Sequence, residues 1–334
     1  MTDHHLRPRA VVTGSSGFVG RHLVDALIAA GYRVHGIDPR PFPRIPNARD
    51  YFHSGGDMLE LLDELTGVDL VVHCAAVVGG REYIEGSPAE LAATNLELDA
   101  ALWRWALEVR PARVVYLSSS AAYPVIHQTG KHHTRLDERL LDLALDHGIA
   151  FEPDATYGLV KLVGEQMARA VAGAGVPVTV VRPFSGYGSD QDATYPFAAF
   201  IDRALNREDP FEVWGNGRQV RDFIHIDDIV AGILGLVRLG LDGPVNLGTG
   251  IATTSLELAE LVIAGIGDDY HPQVQLRPDK PVGVAYRVAD TRVADKLGLA
   301  VTVGLGAGIM RALEDRPAFL AAREAVLRSP VVGS

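Results

Sequence analysis

A tyrosine and a lysine four residues apart form a pair that could do acid–base chemistry. Tyr157-Gly-Leu-Val-Lys161 opens a predicted helix, and a spacing of four places the phenol and the ammonium on one face. A nearby cation lowers the pKa of a tyrosine from its usual value of about 10, so we expect the phenolate to act as a base near neutral pH. Because ten tyrosines could meet a lysine at this spacing by chance, the pair is interpreted together with its neighbours.

Three consecutive serines could hold a reacting oxygen. Ser118, Ser119 and Ser120 come directly after Val114-Val115-Tyr116-Leu117, a pattern that predicts a short buried strand. Ligands of open α/β sheets bind beyond the carboxyl ends of the strands, so hydroxyl groups there can reach a substrate. Serines at strand ends also form turns, which is the alternative interpretation.

A glycine-rich segment near the start predicts a site for a dinucleotide. Gly14-Ser-Ser-Gly17-Phe-Val-Gly20 lies between a predicted strand and a predicted helix, where amide N–H groups and the helix dipole can bind a pyrophosphate. A tight turn without a ligand is the alternative. Asp38 follows 24 residues after Gly14, where a carboxylate accepts hydrogen bonds from an adenosine ribose and favours NAD over NADP. Arg40 leaves NADP open, because an arginine can accommodate a 2′-phosphate.

Alternating strand and helix patterns must position these residues. Because parallel strands need a crossover connection, the alternation predicts an α/β fold with a Rossmann-like, doubly wound parallel sheet. Strands are predicted at residues 10–13, 32–37, 70–74, 113–118 and 177–182, and helices at 19–30, 91–109 and 158–172. Beyond residue 182 glycine and proline become frequent, and helices are predicted at 197–206, 227–239, 255–266 and 303–314.

The length of 334 residues favours more than one core. We expect residues 1–183, with a return segment near 222–249, to form an NAD-binding Rossmann domain. Residues 184–221 and 250–334 would then form a smaller α/β substrate-binding domain.

Composition disfavours several classes of partner and site. The 42 acidic residues outnumber the 31 basic ones, so the net charge of −11 disfavours nucleic acid and anionic lipid as partners. One cysteine, Cys74, allows neither a disulfide within the chain nor a cysteine-based zinc site, which fits a cytoplasmic protein. No apolar stretch suits a signal peptide or a membrane span. His127, His132 and His133 lack the spacing and partners of a metal site, and we expect no metal.

Taken together, these segments resemble the extended short-chain dehydrogenase/reductase superfamily and, within it, the NAD-dependent nucleotide-sugar epimerase/dehydratase family. The resemblance covers nearly the whole chain and rests on nine ordered segments. They are residues 13–20, Asp57-Met58, His73-Cys-Ala-Ala76, Thr94-Asn95, Ser118 to Tyr123, Tyr157 to Glu165, Arg182 to Gly188, Trp214 to Asp228 and Asn246 to Gly250.

The resemblance implies a role for each matched residue. Tyr157 and Lys161 would be the catalytic pair, and Lys161 would also hold the nicotinamide ribose. Ser119, four residues before Tyr123, would bind the reacting sugar oxygen, with Ser120 as the runner-up. The other implied NAD-binding residues are Gly14, Gly17, Phe18, Val19, Gly20, Asp38, Arg40, Asp57, Met58, Ala75, Ala76, Asn95, Ser118 and Pro183.

Departures from the family pattern bear on the reaction. Dehydratases of the family carry an Asp-Glu pair directly after the catalytic serine or threonine, whereas this chain has Ser120 and Ala121, so elimination is disfavoured. Ser185 replaces an asparagine that many members carry, which puts one phosphate contact in doubt.

Substrate binding is expected from residues spread over the chain. Arg221 matches the family arginine that meets the nucleotide, and either Arg277 or Arg287 would meet the diphosphate, with Arg287 preferred. The remaining implied contacts are Val78, Gly79, Ser119, Ser120, Tyr157 and Ser185. Residues 124–156 form a long segment that would either wall the sugar pocket or be a surface insertion, with a helix at 134–147.

The expected activity is NAD-dependent epimerisation of a nucleotide sugar, at C4 of a UDP-hexose or UDP-hexuronic acid, through a 4-keto intermediate. A nucleotide-sugar 4-ketoreductase, a 3,5-epimerase/reductase and a non-catalytic dinucleotide-sensing module remain alternatives. The family resemblance also implies a homodimer, formed through helices 91–109 and 158–172.

Overall fold

The computed structural model describes residues 7–42, 50–130, 133–146 and 152–328. Its strands, in chain order, are β1 Arg9–Thr13, β2 Arg33–Ile37, β3 Tyr51–Ser54, β4 Leu70–His73, β5 Arg113–Leu117, β6 Val178–Pro183, β7 Ser185–Tyr187, β8 Phe211–Trp214, β9 Val220–Arg221, β10 Phe223–His225, β11 Gly243–Leu247, β12 Thr253–Thr254, β13 Val274–Arg277 and β14 Tyr286–Arg287.

Helices alternate with these strands. They are α1 Phe18–Ala29, α2 Met58–Leu61, α3 Arg81–Gly86, α4 Pro88–Val109, α5 Arg139–Asp146, α6 Ala155–Gly173, α7 Pro196–Leu205, α8 Ile226–Leu239, α9 Ser255–Ile266, α10 Arg292–Lys296 and α11 Leu305–Arg328. Short 3₁₀ turns lie at Leu62–Glu64, Ser120–Ala122 and Val125–Gln128.

Seven parallel strands form the main sheet, in the order β11-β6-β5-β4-β1-β2-β3. The strand order reverses direction between β1 and β4, which is where a doubly wound sheet opens a crevice for ligands at its carboxyl edge. The predicted Rossmann-like α/β fold is therefore confirmed.

Helices cover both faces of this sheet. Alternate residues of β1 point to opposite sides, so Val12 packs with Leu23 of α1 and Ile233 of α8, whereas Val11 packs on the side of α4 and α6. Trp103 of α4 is fully buried on that second side. Because both faces are covered, the strands are apolar throughout rather than alternating.

A second apolar core holds the C-terminal region together. Phe197 of α7, Phe211 of β8, Leu258 of α9 and Ile309 of α11 are buried against one another. The chain re-enters the main sheet through β11, which pairs with β6, inside the predicted return segment near 222–249. The division into two domains stays a prediction.

Two predicted helices have wrong boundaries. The helix predicted at 134–147 begins only at Arg139, because Leu136 is extended and exchanges backbone hydrogen bonds with Val288 and Asp290; residue 147 lies outside the described residues. The helix predicted at 303–314 runs from Leu305 to Arg328 and passes through Pro317. Sequence analysis also missed β3, a strand of only four residues.

Candidate active site

The glycine-rich turn joins β1 to α1 with the geometry that a dinucleotide phosphate needs. Gly14 has a φ of +67°, and a Cβ there would lie 2.7 Å from the backbone nitrogen of Ala75. A Cβ on Gly20 would lie 2.1 Å from the carbonyl oxygen of Gly14, so only glycine permits this contact. No side chain caps α1, so the N–H groups of Phe18 and Val19 in its first turn remain for an anion. These residues fit the pyrophosphate of NAD.

Asp38 and Arg40 lie together beside that turn. The buried carboxylate of Asp38 accepts a hydrogen bond from the N–H of Ser16 at 3.0 Å and from Nε of Arg40 at 3.1 Å. The Arg40 side chain is 67% exposed and its guanidinium reaches over Gly17. Because Arg40 is paired with Asp38, its charge is partly neutralised, which supports the predicted preference for NAD.

The remaining predicted cofactor residues line the same edge, but some of their polar groups are already engaged. Asp57 caps α2 by accepting the N–H of Leu59 at 3.0 Å, and Met58 is buried behind it. The side chain of Asn95 bonds both the N–H and the carbonyl of Val77, each at 2.8 Å. Asn95 therefore holds the loop that continues from Ala75 and Ala76.

Tyr157, Ser119 and Lys161 converge at the carboxyl end of β5. Tyr157 is half-buried near the start of α6 and close enough to Ser119 to interact with it, and Oγ of Ser119 accepts the N–H of Ala121 at 3.1 Å. Lys161 is buried one turn further and donates to the carbonyl oxygen of Leu117 at 2.9 Å. The proximity of Ser119 to Tyr157 supports Ser119 over its buried neighbour Ser120 as the oxygen-binding serine.

The prediction that Lys161 lowers the pKa of Tyr157 is wrong in this structure. Burial raises the pKa of Tyr157, the charge of Asp99 raises it further, and only the hydrogen bond with Ser119 opposes the rise. The physical reason is that a buried site disfavours the phenolate, while the Lys161 ammonium points at Leu117 and lies 5.9 Å from the Tyr157 ring centroid. Burial lowers the pKa of Lys161 as well.

A buried ion pair lies directly beneath the serines and was missed by sequence analysis. Arg182 binds both carboxylate oxygens of Glu165, at 2.9 and 2.6 Å, and also donates to the Tyr123 hydroxyl at 2.9 Å. Ser118 donates its hydroxyl to the same carboxylate of Glu165. Ser118 therefore ties β5 to α6, and Pro183 follows Arg182 at the end of β6.

Three arginines gather around Asp154, just before α6. Arg287 and Arg81 donate to the two oxygens of Asp154 at 2.6 and 2.7 Å. Arg221 lies beside Arg287 on the paired strands β9 and β14. Burial, followed by the charge of Arg287, lowers the pKa of Arg221 to about 9. Sequence analysis found Arg221 and Arg287 but missed Arg81, whose only signal is its position after Gly79-Gly80.

Arg277 lies outside this group. Its guanidinium pairs with Glu212 at 2.5 Å and with Asp279 at 3.0 Å. The preference for Arg287 over Arg277 gains support from this geometry, although it stays a prediction.

An open cleft of about 590 Å³ lies beside this group, and its charged lining residues are Arg81, Glu85, Glu152, Asp154 and Lys280, whereas Arg221 and Arg287 do not line it. Val78 and Gly79 form its neighbouring loop, and a Cβ on Gly80 would lie 2.3 Å from the carbonyl oxygen of Thr194. The next residue, Tyr195, is close enough to Tyr157 for their charges to interact, a neighbour that sequence analysis missed. Ser185 lies apart from the cleft arginines, in β7 paired with β10.

The segment 124–156 is partly integral to the fold, where it is described. Leu136 and Leu141 are fully buried in a core with Phe184. Gln128 accepts from Arg287 at 2.6 Å, so the segment supports the arginine group. His133 stacks on Tyr286, and His132 lies outside the described residues. Among the described residues there is no metal-ligating group of three, and no helix long and apolar enough to cross a membrane.

Comparison with known proteins agrees with this geometry. The sequence profile of the NAD dependent epimerase/dehydratase family matches residues 10–248. GDP-mannose 3,5-epimerase 1 of Oryza sativa subsp. japonica is 28% identical over 90% of this chain and 79% of its own length. The dTDP-4-dehydro-6-deoxy-D-allose reductase of Streptomyces bikiniensis is 30% identical over 85% of this chain and 89% of its own.

A solved structure shares the architecture. UDP-glucose 4-epimerase of Thermotoga maritima, determined with UDP-glucose, superposes with a TM-score of 0.79 and 25% identity, covering 93% of this chain and 99% of that one. Since the family profile covers well over half of the chain and the glycine turn fits its cofactor, the chain belongs to the NAD-dependent epimerase/dehydratase family.

Proposed function

We propose that the protein is an NAD-dependent epimerase of a nucleotide sugar, acting at C4 of a UDP-hexose or UDP-hexuronic acid. The observation that carries this proposal is the placement of Tyr157 close to Ser119 at the carboxyl end of β5, with Ser120 and Ala121 in the next two positions. That arrangement offers one base and one hydroxyl for a sugar oxygen. It offers no carboxylic acid to protonate a leaving hydroxyl, which an elimination would need.

Tyr157, Ser119 and the cofactor have different roles in epimerisation. Bound NAD⁺ supplies the acceptor and later the donor of a hydride at C4. Tyr157 removes the proton of the C4 hydroxyl and later returns a proton to the same oxygen, while Ser119 holds that oxygen by a hydrogen bond. Between the two proton transfers the 4-keto sugar turns over, so that its other face meets the hydride. No cofactor is consumed in a complete cycle.

The substrate diphosphate is assigned to the arginines beside the cleft. Arg81, Arg221 and Arg287 carry three positive charges against two carboxylates, those of Asp154 and Glu85, so one positive charge remains for a diphosphate. The preference for a uridine nucleotide is supported by the UDP-glucose found in the structurally similar Thermotoga maritima epimerase.

Substitution of the base and of the hydroxyl tests this assignment. Tyr157→Phe should lower kcat by about 10²–10⁴-fold, because the base is lost while ring packing is kept. Ser119→Ala should lower kcat without raising the KM for the nucleotide sugar. Both are measured by NMR of the C4 epimer, with Tyr83→Phe, an exposed tyrosine of α3, as the matched control. Full activity of Tyr157→Phe would refute the proposal.

A 4-ketoreductase or a 3,5-epimerase/reductase is the second candidate. It is favoured by the identity of 30% to an allose reductase and of 28% to a 3,5-epimerase. This activity would consume one NAD(P)H per keto sugar, so stoichiometric loss of reduced cofactor on mixing with a 4-keto nucleotide sugar would establish it. A non-catalytic sensor, the third candidate, would keep its cellular function in Tyr157→Phe.

We propose that α4 and α6 also pair with a second copy of the chain. Leu159, Val163 and Met167 repeat every four residues on α6 and are 39–49% exposed, and Leu96 of α4 is 40% exposed. Val163→Glu should convert a dimer into a monomer in analytical ultracentrifugation, and a native monomer would contradict this proposal. The lone Cys74 remains consistent with a cytoplasmic location.

A further inference from the structure

A line of hydrogen bonds runs beneath the predicted cofactor loop and ends on a buried carboxylate. The N–H of Ala75 donates to the hydroxyl of Thr13 at 3.3 Å, and this oxygen lies 2.8 Å from Nδ1 of His73. Nε2 of His73 lies 3.2 Å from Oδ1 of Asp99, and the hydroxyl of Tyr116 donates to Oδ2 of Asp99 at 2.6 Å. Asp99 is 4% exposed.

The directions of these bonds indicate the charge on Asp99. Because Thr13 accepts from Ala75, its own hydroxyl proton is free to go to Nδ1 of His73, which leaves Nε2–H to donate to Asp99. Burial lowers the pKa of His73, so the imidazole is neutral. Asp99 then receives two donors, and although burial raises its pKa, His73 and Lys161 outweigh this and hold the pKa below its usual value. It is a buried anion.

Tyr116 lies between the lysine of the catalytic pair and this anion. Nζ of Lys161 is 5.0 Å from the ring centroid of Tyr116, whose hydroxyl contacts Asp99. Burial lowers the pKa of Lys161, and Asp99 is the largest influence raising it, followed by Cys74 and Glu165. Lys161 donates to a backbone carbonyl, which carries no full charge.

The other titratable groups around Lys161 cannot replace Asp99. Burial raises the pKa of Cys74 to about 12, so it is a neutral thiol. Glu165 is held by Nε and Nη2 of Arg182, so its charge is already compensated. Burial likewise raises the pKa values of Tyr116 and Tyr157, so both are neutral in the resting site.

We propose that Asp99 is a positioning residue for the reaction: its carboxylate is the buried counter-ion that keeps Lys161 protonated. With NAD bound, the ammonium is then available to stabilise the Tyr157 phenolate, which it does not do while it points at Leu117. This role rests on the proposed function of Tyr157 and Lys161. Asp99 is also packed tightly against α6. A Cβ on Gly164 would lie 2.6 Å from Oδ2 of Asp99 and nearer still to the Tyr116 hydroxyl, so only glycine fits there.

Asp99 has two opposite effects on the stability of the Tyr157 phenolate, and an experiment can tell which is larger. The carboxylate disfavours a nearby phenolate directly. It favours the phenolate indirectly by keeping Lys161 charged. Asp99→Asn keeps the shape and an acceptor for Tyr116 but removes the charge, so the sign of its effect on Tyr157 tells which route dominates.

The protonation of Lys161 can be measured directly. The chain has lysines only at positions 131, 161, 280 and 296, so selective ¹³Cε labelling gives four NMR signals, and Lys161→Met identifies the one of interest. With NAD bound, we expect Lys161 to be an ammonium at neutral pH and its titration midpoint to fall by about one unit or more in Asp99→Asn. Glu97→Gln, which removes an exposed charge from the same helix, should not move it.

The pH profile supplies the second measurement. In Asp99→Asn the acidic limb of kcat/KM should move to higher pH, with about a tenfold loss near neutral pH. A shift to lower pH, or no shift, would refute the proposal, as would a neutral Lys161 in the unaltered protein. The titration of Lys161 needs no turnover, so it tests the proposal even if the proposed reaction proves wrong. If Asp99→Asn fails to fold, the charge of Lys161 in the unaltered protein can still refute the proposal.

Discussion

Arg182 and the three arginines around Asp154 differ in how their charges are satisfied. Arg182 is 1% exposed, and its guanidinium donates hydrogen bonds to both oxygens of Glu165, the hydroxyl of Tyr123 and the carbonyl of Glu138. At the start of α6, Arg81 and Arg287 share the carboxylate of Asp154, Arg81 also pairs with Glu85, and Arg221 donates to three backbone carbonyls.

The difference distinguishes a structural ion pair from a binding site. The pair around Arg182 is closed, with one guanidinium against one carboxylate and every remaining direction occupied. The group around Asp154 holds three arginines against the carboxylates of Asp154 and Glu85, and burial, followed by the charge of Arg287, lowers the pKa of Arg221. An anion bound near these arginines would reduce the repulsion between them. An anion near Arg182 would not, because Arg182 is already paired with Glu165.

Breaking the closed pair should have the largest effect. Arg182→Met leaves Glu165 buried without its counter-ion, so we expect the free energy of unfolding to fall by about 3–5 kcal/mol in chemical denaturation. Glu208→Gln is the control. Glu208 forms a surface ion pair with Arg203 at 3.8 Å, and its loss should lower the free energy of unfolding by less than about 1 kcal/mol. Equal losses in the two variants would contradict the distinction.

Removing a cleft arginine should affect binding and spare the fold. Arg81→Gln should raise the KM for the nucleotide sugar by about 10–100-fold with kcat little changed, as expected for the loss of one charge-assisted hydrogen bond. Arg277→Gln, whose arginine is already paired with Glu212, should leave KM unchanged. A large loss of stability in Arg81→Gln would mean that the cleft group is structural.

The contribution of Asp154 to the pH dependence of stability should be the smallest effect. Burial alone would raise the pKa of Asp154, but Arg287 and Arg81 outweigh it and lower the pKa below the usual value of about 3.9. Ionised Asp154 therefore contributes stability above that value, and this contribution is lost as the pH falls through the lowered pKa. Unfolding measured from neutral pH downward should show a gentler acid loss in Asp154→Asn, and an identical slope would contradict the assignment.

Sequence patterns predicted the cofactor half better than the substrate half. The glycine turn follows from local rules, because Gly14 needs a positive φ and Gly20 needs close approach, and both requirements are visible in the spacing. The arginine group depends on tertiary pairing: Arg81 reaches Asp154 across 73 residues of chain, and spacing carries no sign of that contact. Neither did spacing reveal that burial would raise the pKa of Tyr157.

Asp99 shows the same limit within a well-predicted region. It lies on a helix that periodicity predicted, yet its partners His73 and Tyr116 come from two different strands. A polar residue on the buried face of α4 was the one available signal, and its meaning depended on which strands lie beside that helix.

The central claim is that Tyr157 and its neighbours epimerise a nucleotide sugar without consuming NAD. The most direct test supplies the purified protein, carrying substoichiometric NAD, with UDP-glucose or UDP-glucuronic acid and follows C4 inversion by proton NMR. The account predicts many inversions for each NAD, no net change in NADH, and loss of inversion in Tyr157→Phe. Stoichiometric consumption of NADH, or no inversion of either sugar, would contradict it.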